Sequence, residues 1–185
     1  MMCQPKAFNI YLCLALLLAP AVTTGCKSTP ESKQKSKDKK LAAVMRFHLE
    51  TRSDISGHQE VVSILRDHPV QVTIQKTPFL NEADIADAKV IDSIGGFSLS
   101  LKFDRRGRWL LEQYSTANPG KRIAVYAQFG EGLKESRWLA APVIRKRMGD
   151  GVFTFTPDAS REETDQITKG LNNVAKKVQG KSEEW

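Results

Sequence analysis

The first residues to weigh for metal binding or proton transfer are three histidines and four aspartates. His48, His58 and His68 recur every ten residues, a spacing that places them on no shared face of a single element. With no matching carboxylate cluster beside them, they read as surface or strand residues, and no metal site is expected. Asp84, Asp87, Asp92 and Asp104 fall on three different predicted elements. They read as helix caps and solvated charge, not as a paired acid and base. No glycine-rich phosphate loop, GxSxG or HExxH is present. The acidic run Glu162-Glu163-Thr164-Asp165 suits the first turn of a helix, where it favours the helix dipole. The cysteines, Cys3, Cys13 and Cys26, all lie within the first 26 residues. The chain beyond them therefore has no disulfide, thiol nucleophile or cysteine zinc site. Neither catalysis nor a cofactor nor a small-molecule substrate is expected. Trp109 and Trp138 remain as a possible partner-binding surface. Each could serve core packing or form a sticky patch for an apolar partner segment.

Those side chains sit in a chain of 185 residues with formal charge +7 and a pI near 9.4. The positive charge is concentrated in residues 27–40, where six lysines face only Glu31 and Asp38. Setting that stretch and Lys6 aside leaves residues 41–185 with +2, an ordinary globular balance. A nucleic-acid partner would need the charge on a folded face or aromatics placed for stacking, so none is expected.

The cysteine at the head of the lysine stretch has its own context. Lys6 precedes an apolar run from Ala7 to Val22, followed by Thr23, Thr24, Gly25 and Cys26. That order is the layout of a signal peptide, and the run is shorter than a membrane span of about 20 apolar residues. The border resembles a bacterial lipobox. Cleavage after Gly25 would leave Cys26 as the lipid-attachment residue, although Thr23 stands where leucine is preferred. Ala19-Pro20-Ala21 offers a competing ordinary cleavage site. Residues 26–41, rich in lysine and serine, read as a tether that cannot pack. Residues 42–180 read as one domain and 181–185 as a polar tail.

Within the domain, alternating apolar residues predict strands over 43–50, 70–75, 96–104, 121–129 and 152–156. Residues 60–67 form either a strand or a short helix. Residues 138–144 form a strand that Pro142 confines to an edge or a bulge, after a loop over 130–136. Asn81 and Asp84 predict a short helix over 81–88. Asp104 caps a helix through Thr116 with Leu110, Leu111 and Tyr114 facing inward. Ser160 and Glu163 form a capping box for a last helix with Ile167, Leu171, Val174 and Val178 on one stripe. Gly170 costs that helix about 1 kcal/mol relative to alanine. Strands dominate without βαβ alternation, so the fold class is α+β: a mixed, largely antiparallel sheet with helices packed on one face.

Several of these pieces resemble, in order, the head subdomain of the first periplasmic region of SecD and SecDF. The strand ending in Phe103-Asp104 before a helix with Gly107 is one. Gly120-Lys121-Arg122-Ile123-Ala124, Ala140-Ala141-Pro142-Val143-Ile144, and the stretch from Phe155 to Glu163 follow. Residues 77–90 match the segment before this core. The likeness covers roughly 43–178. The longer stretch 129–138 departs from the family's short turn. The polar tail stands where the family continues into transmembrane helices, so the proton-driven channel is not expected here. The resemblance implies the fold and a contact with polypeptide. The expected function is a non-enzymatic envelope lipoprotein, anchored by its N-terminal lipid and facing the periplasm, with the outer membrane as expected site. Its domain would bind protein and assist export or folding of secreted chains. The alternative is a structural envelope lipoprotein that binds an unrelated protein complex or the cell wall.

Overall fold

Alternation in β1 (Val44–Leu49) buries Met45, Phe47 and Leu49 on one face, and the rest of the chain is built onto that face. In chain order the other elements are β2 (Gln59–Ile64), β3 (Val70–Gln75), β4 (Leu80–Asn81), β5 (Ile85–Ser93) and β6 (Gly96–Phe103). Helix α1 (Arg105–Ala117), β7 (Ile123–Phe129), β8 (Glu135–Ala140), β9 (Val152–Phe155) and helix α2 (Arg161–Ser182) complete the series. This computed structural model describes residues 38, 41–52 and 57–182. Gly25, Cys26, the leader and most of the tether lie outside the described residues.

The class is α+β, and among the described residues every strand pairing is antiparallel, but the strands form three sheets instead of one. Their orders are β4-β1-β7-β8, β5-β6-β9 and the hairpin β2-β3. The two larger sheets share one core. Phe47 meets Phe103 edge-on at 5.4 Å between ring centroids and Phe153 at 5.9 Å, which joins a strand of one sheet to two of the other. Leu99, Leu101, Leu111, Phe129, Ile167 and Leu171 complete the packing. Each such side chain contributes about 1.5–3 kcal/mol when fully buried.

The hairpin covers part of the opposite face of the first sheet. Val62, Ile64, Val72 and Ile74 pack there on Ala124, with Trp138 and Ala141 at the margin. Consequently β1 is buried on both faces near its end, whereas its alternation predicts only one buried face. His48, on the second face, is only 7% exposed. Its Nδ1 lies 2.8 Å from the Gln75 carbonyl, to which it donates. Burial pushes the imidazole below its ordinary value, and Arg46 adds to this, against the opposing Gln75 carbonyl and Glu60. Protonation therefore favours the unfolded chain. The stability that neutral His48 supplies is complete above about pH 6.5 and falls as the pH drops through the lower folded value. Melting curves between pH 7 and pH 5 should show a loss of Tm that His48→Gln reduces.

The segment 81–88 is not a helix. Asn81 and Asp84 do form the capping box, with Ala83 N–H donating to Asn81 Oδ1 at 2.9 Å and Asn81 N–H to the Asp84 carboxylate at 3.0 Å. They enclose only a 3-10 turn, Glu82–Asp84, and the chain then enters β5. Ile85 and Ala88 mimic helical spacing, but a bulge between Ile85 and Asp87 lets two residues three apart share a strand face. The last strand before β9 also starts earlier, at Glu135, inside the expected loop. It ends at Ala140, and Val143 rejoins Arg122 only through an isolated bridge after Pro142. In α2 the buried stripe is Thr164, Ile167, Leu171 and Ala175, while Val178 is exposed. Positions 167, 171 and 175 keep a step of four residues; 174 and 178 swing off the contact line.

Candidate protein-binding surface

Helix α1 is set by its first turn. Asp104 is the N-cap, accepting the Gly107 N–H at 2.7 Å. Gly107 lies against the segment before β5: a Cβ there would stand 2.9 Å from both the Asp84 Cβ and the Asp84 carbonyl oxygen. Asp84 is buried and ion-paired with Arg106. With Leu111 and Ser115 turned inward, the helix presents Arg105, Arg106, Arg108 and Trp109 to solvent. The Trp109 side is 57% exposed, a large value for an indole, and lines a shallow cleft with Asp104, Arg105, Arg108 and Glu112.

The segment 144–149 continues this basic surface and is fastened to the helix. Met148 N–H donates to Ser115 Oγ at 3.0 Å, and Arg108 Nε to the Gly149 carbonyl at 2.8 Å. Arg147 forms an ion pair with Glu112. At its start, Gly120 N–H donates to the Ile144 carbonyl at 2.9 Å. Between this segment and β9 runs a groove of about 530 Å³ whose apolar walls include Ile123, Pro142, Val143 and Phe153. Arg145 and Lys146 stand exposed on its rim. Fixed walls lower the ordering cost of binding. This groove is not legible from local pattern, since the basic residues at 105–108 and at 145–147 are about forty residues apart in the chain.

The two tryptophans are not brought together. Trp138 is half-buried beneath the hairpin, 5.4 Å from the His48 ring and 5.1 Å from Tyr126. It packs, whereas Trp109 is free to touch a partner. The neighbouring segment from Gly130 lines a different groove, of about 650 Å³, with Glu131, Glu135, Glu162 and Asp165 among its walls; Trp138 is not one of them. The aspartates are dispersed. Asp87 pairs with Lys89 at 2.9 Å and Asp92 with Arg161, whose guanidinium lowers the Asp92 carboxyl. Asp84 caps as expected but is buried instead of solvated. Among the described residues no three His, Cys, Asp or Glu side chains converge in a way that could hold a metal ion. No helix among them is long and apolar enough to cross a membrane.

The described residues thus form an antiparallel α+β domain with a basic surface, the exposed Trp109 indole and an apolar groove. The chain belongs to the SecDF P1 head subdomain family, whose model matches residues 53–175. It is similar to the protein translocase subunit SecDF of Thermus thermophilus, 33% identical over 97 residues, which are 52% of this chain and 12% of that protein. Thus it spans only a small part of that relative's length. A solved structure of SecDF, described as a membrane component that enhances protein export, matches with TM-score 0.52 and 21% identity, covering 79% of this chain and 70% of the other. The super-membrane-facing form of SecDF matches at TM-score 0.52 and 21% identity, over 79% of this chain and 21% of that one. These two likenesses concern the fold. In this chain Asp104 caps α1, and the glycine at 107 leaves room for the backbone of Asp84.

Proposed function

We propose that this protein is a lipid-anchored, periplasm-facing envelope protein whose head domain binds polypeptide without catalysis and assists the export or folding of secreted chains. The observation that carries the reading is Trp109. A large apolar side chain stands out of a fastened basic surface, in a domain of a family named for an export subunit. Exposed aromatics flanked by arginine are the composition of protein-contact surfaces. The anchor rests on the order Gly25-Cys26 after the apolar run, with Lys27 as the residue that would direct release to the outer membrane.

Photo-crosslinking in cells from position 105 tests the contact. Adducts with translocon components or nascent secreted chains are the expected result. Trp109→Ala should remove most of them while changing stability by no more than about 0.5 kcal/mol, since the ring is largely solvated. Adducts dominated by cell-wall or outer-membrane assembly components would instead support a structural lipoprotein. Mass spectrometry of the mature N-terminus should find an acylated Cys26; an unmodified chain starting at Val22 would remove the anchor.

A further inference from the structure

The two larger sheets have four outer edges, and three of them are very short or partly capped. β4 is only two residues long. At β8 the Leu139 carbonyl accepts the Asp158 N–H at 2.7 Å. At β5 the side chain of Asn172, on α2, acts as a substitute strand: its Oδ1 accepts the Ala88 N–H at 2.8 Å and its Nδ2 donates to the Ala88 carbonyl at 2.9 Å. Short strands and covered edges are the usual means of preventing further pairing. β9 has neither. Its register with β6, and the Phe103 N–H to Gly151 carbonyl bond of 2.9 Å, turn the backbone of Phe153 and Phe155 toward β6. The backbone groups of Val152 and Thr154 therefore point outward. Val152 N–H is taken by Asp150 Oδ1 at 3.2 Å. The Val152 carbonyl and the Thr154 N–H and carbonyl have no backbone partner among the described residues. They open on the groove beside the 144–149 segment, and Val152, Phe153 and Thr154 form its wall.

We propose that β9 is a receptor strand. An extended, acidic polypeptide segment adds to its outer edge as a fourth strand of the β5-β6-β9 sheet, with alternate apolar side chains in the groove. Main-chain hydrogen bonds then supply affinity that is largely independent of sequence, and the pockets beside the edge choose the side chains. The acidic character follows from the rim. Arg145 and Lys146 are exposed and have no carboxylate partner among the described residues, in contrast to Arg147, which Glu112 holds. The same rim disfavours a second copy as occupant. Two β9 edges related by a two-fold axis would bring Arg145 and Lys146 of both copies together. This proposal rests on the polypeptide-binding reading above and gives it a surface and a mode.

The test uses the full chain in detergent and a synthetic peptide of about nine residues, alternating valine or threonine with glutamate, a length typical of a strand. Hydrogen exchange in the free chain should show the Thr154 amide exchanging much faster than those of Phe153 and Phe155. The peptide should slow Thr154 at least about tenfold, the range one protected backbone bond supplies. A version with alternate amides methylated should bind roughly tenfold more weakly, as one lost hydrogen bond implies. So should Thr154→Pro, which removes an outward N–H from an edge position that tolerates proline. If that variant melts early, Arg145→Glu with Lys146→Glu takes its place. These exposed changes should weaken the glutamate peptide and strengthen a lysine one, with the difference fading at high salt. Binding that leaves Thr154 exchange unchanged, or that ignores methylation, would overturn strand addition while leaving polypeptide binding intact. A dimer that protects Thr154 without peptide would overturn it in favour of self-pairing. Absence of binding by either peptide would also overturn it, and the crosslinks from position 105 would then judge the wider reading separately.

Discussion

Gly170→Ala is expected to lower the melting temperature by roughly 10 °C, the opposite of what helix propensity predicts. Propensity favours alanine over glycine by about 1 kcal/mol in a helix interior. Here α2 passes the start of β1 at backbone contact. A Cβ on residue 170 would stand 2.7 Å from the Ala42 carbonyl carbon, 2.8 Å from the Ala43 nitrogen and 2.9 Å from the Ala43 Cβ. Two of those atoms are backbone, and Ala43 is buried, so no flexible side chain can yield. Either the helix lifts, separating Ile167 and Leu171 from the core, or the strand shifts its register. Overpacking of this kind costs about 1–3 kcal/mol, and a backbone obstacle belongs at the upper end. For a domain of this size each kcal/mol shifts Tm by roughly 3–5 °C. A thermal melt monitored by circular dichroism reads it directly. An unchanged or raised Tm would mean that α2 does not lie against β1 as described.

Asn172→Ala, two residues further along α2, is expected to cost about 2–4 kcal/mol, although no apolar packing is removed. Ala88 is buried, and its N–H and carbonyl are both satisfied by this one carboxamide. Truncation leaves two buried main-chain groups without partners, at about 1–3 kcal/mol each, less what water recovers. Asn172→Leu keeps the bulk and satisfies neither group, so it should be nearly as damaging; Asn172→Gln should recover part of the loss. Denaturant unfolding of the three variants gives the ranking. An alanine variant as stable as the parent would mean that water replaces the carboxamide at this edge. The variant carries a second consequence. With β5 uncovered, the sheet has two open edges, and the chain should aggregate more readily at high concentration.

Much of the site was out of reach of periodicity. Arg105, Arg106 and Arg108 lie on a helix, and Arg145, Lys146 and Arg147 in a separate segment after β8. Their union depends on Ser115 accepting from Met148 and Arg108 donating to Gly149, contacts between residues some thirty to forty positions apart. Trp109 and Trp138 are the same residue type with similar neighbours in sequence. What separates them is the β2–β3 hairpin, which lies over Trp138 and leaves Trp109 bare. His48 follows the same logic: its alternation assigns it to the outer face of a strand, and the hairpin makes that face interior.

The chain alone determined what period and chemistry can carry locally. Strict alternation fixed β1, β3, β6, β7 and β9. Ser160 with Glu163 fixed the start of α2, and Asp104 the start of α1. The residue order around Gly107, Lys121 and Pro142 was enough to bring out the family. These features act within a few residues, through backbone geometry and nearest hydrogen bonds. The tertiary structure decided which second faces are covered, that Asn81 caps a single 3-10 turn before a strand instead of a full helix, why residues 107 and 170 are glycines, and which sheet edge lacks a covering segment. Each of those depends on an atom supplied by a distant segment. A clash with Ala43, a carboxamide from Asn172 or a partner strand for Ile85 outweighs a local preference of about 1 kcal/mol and leaves no mark on the residues around it.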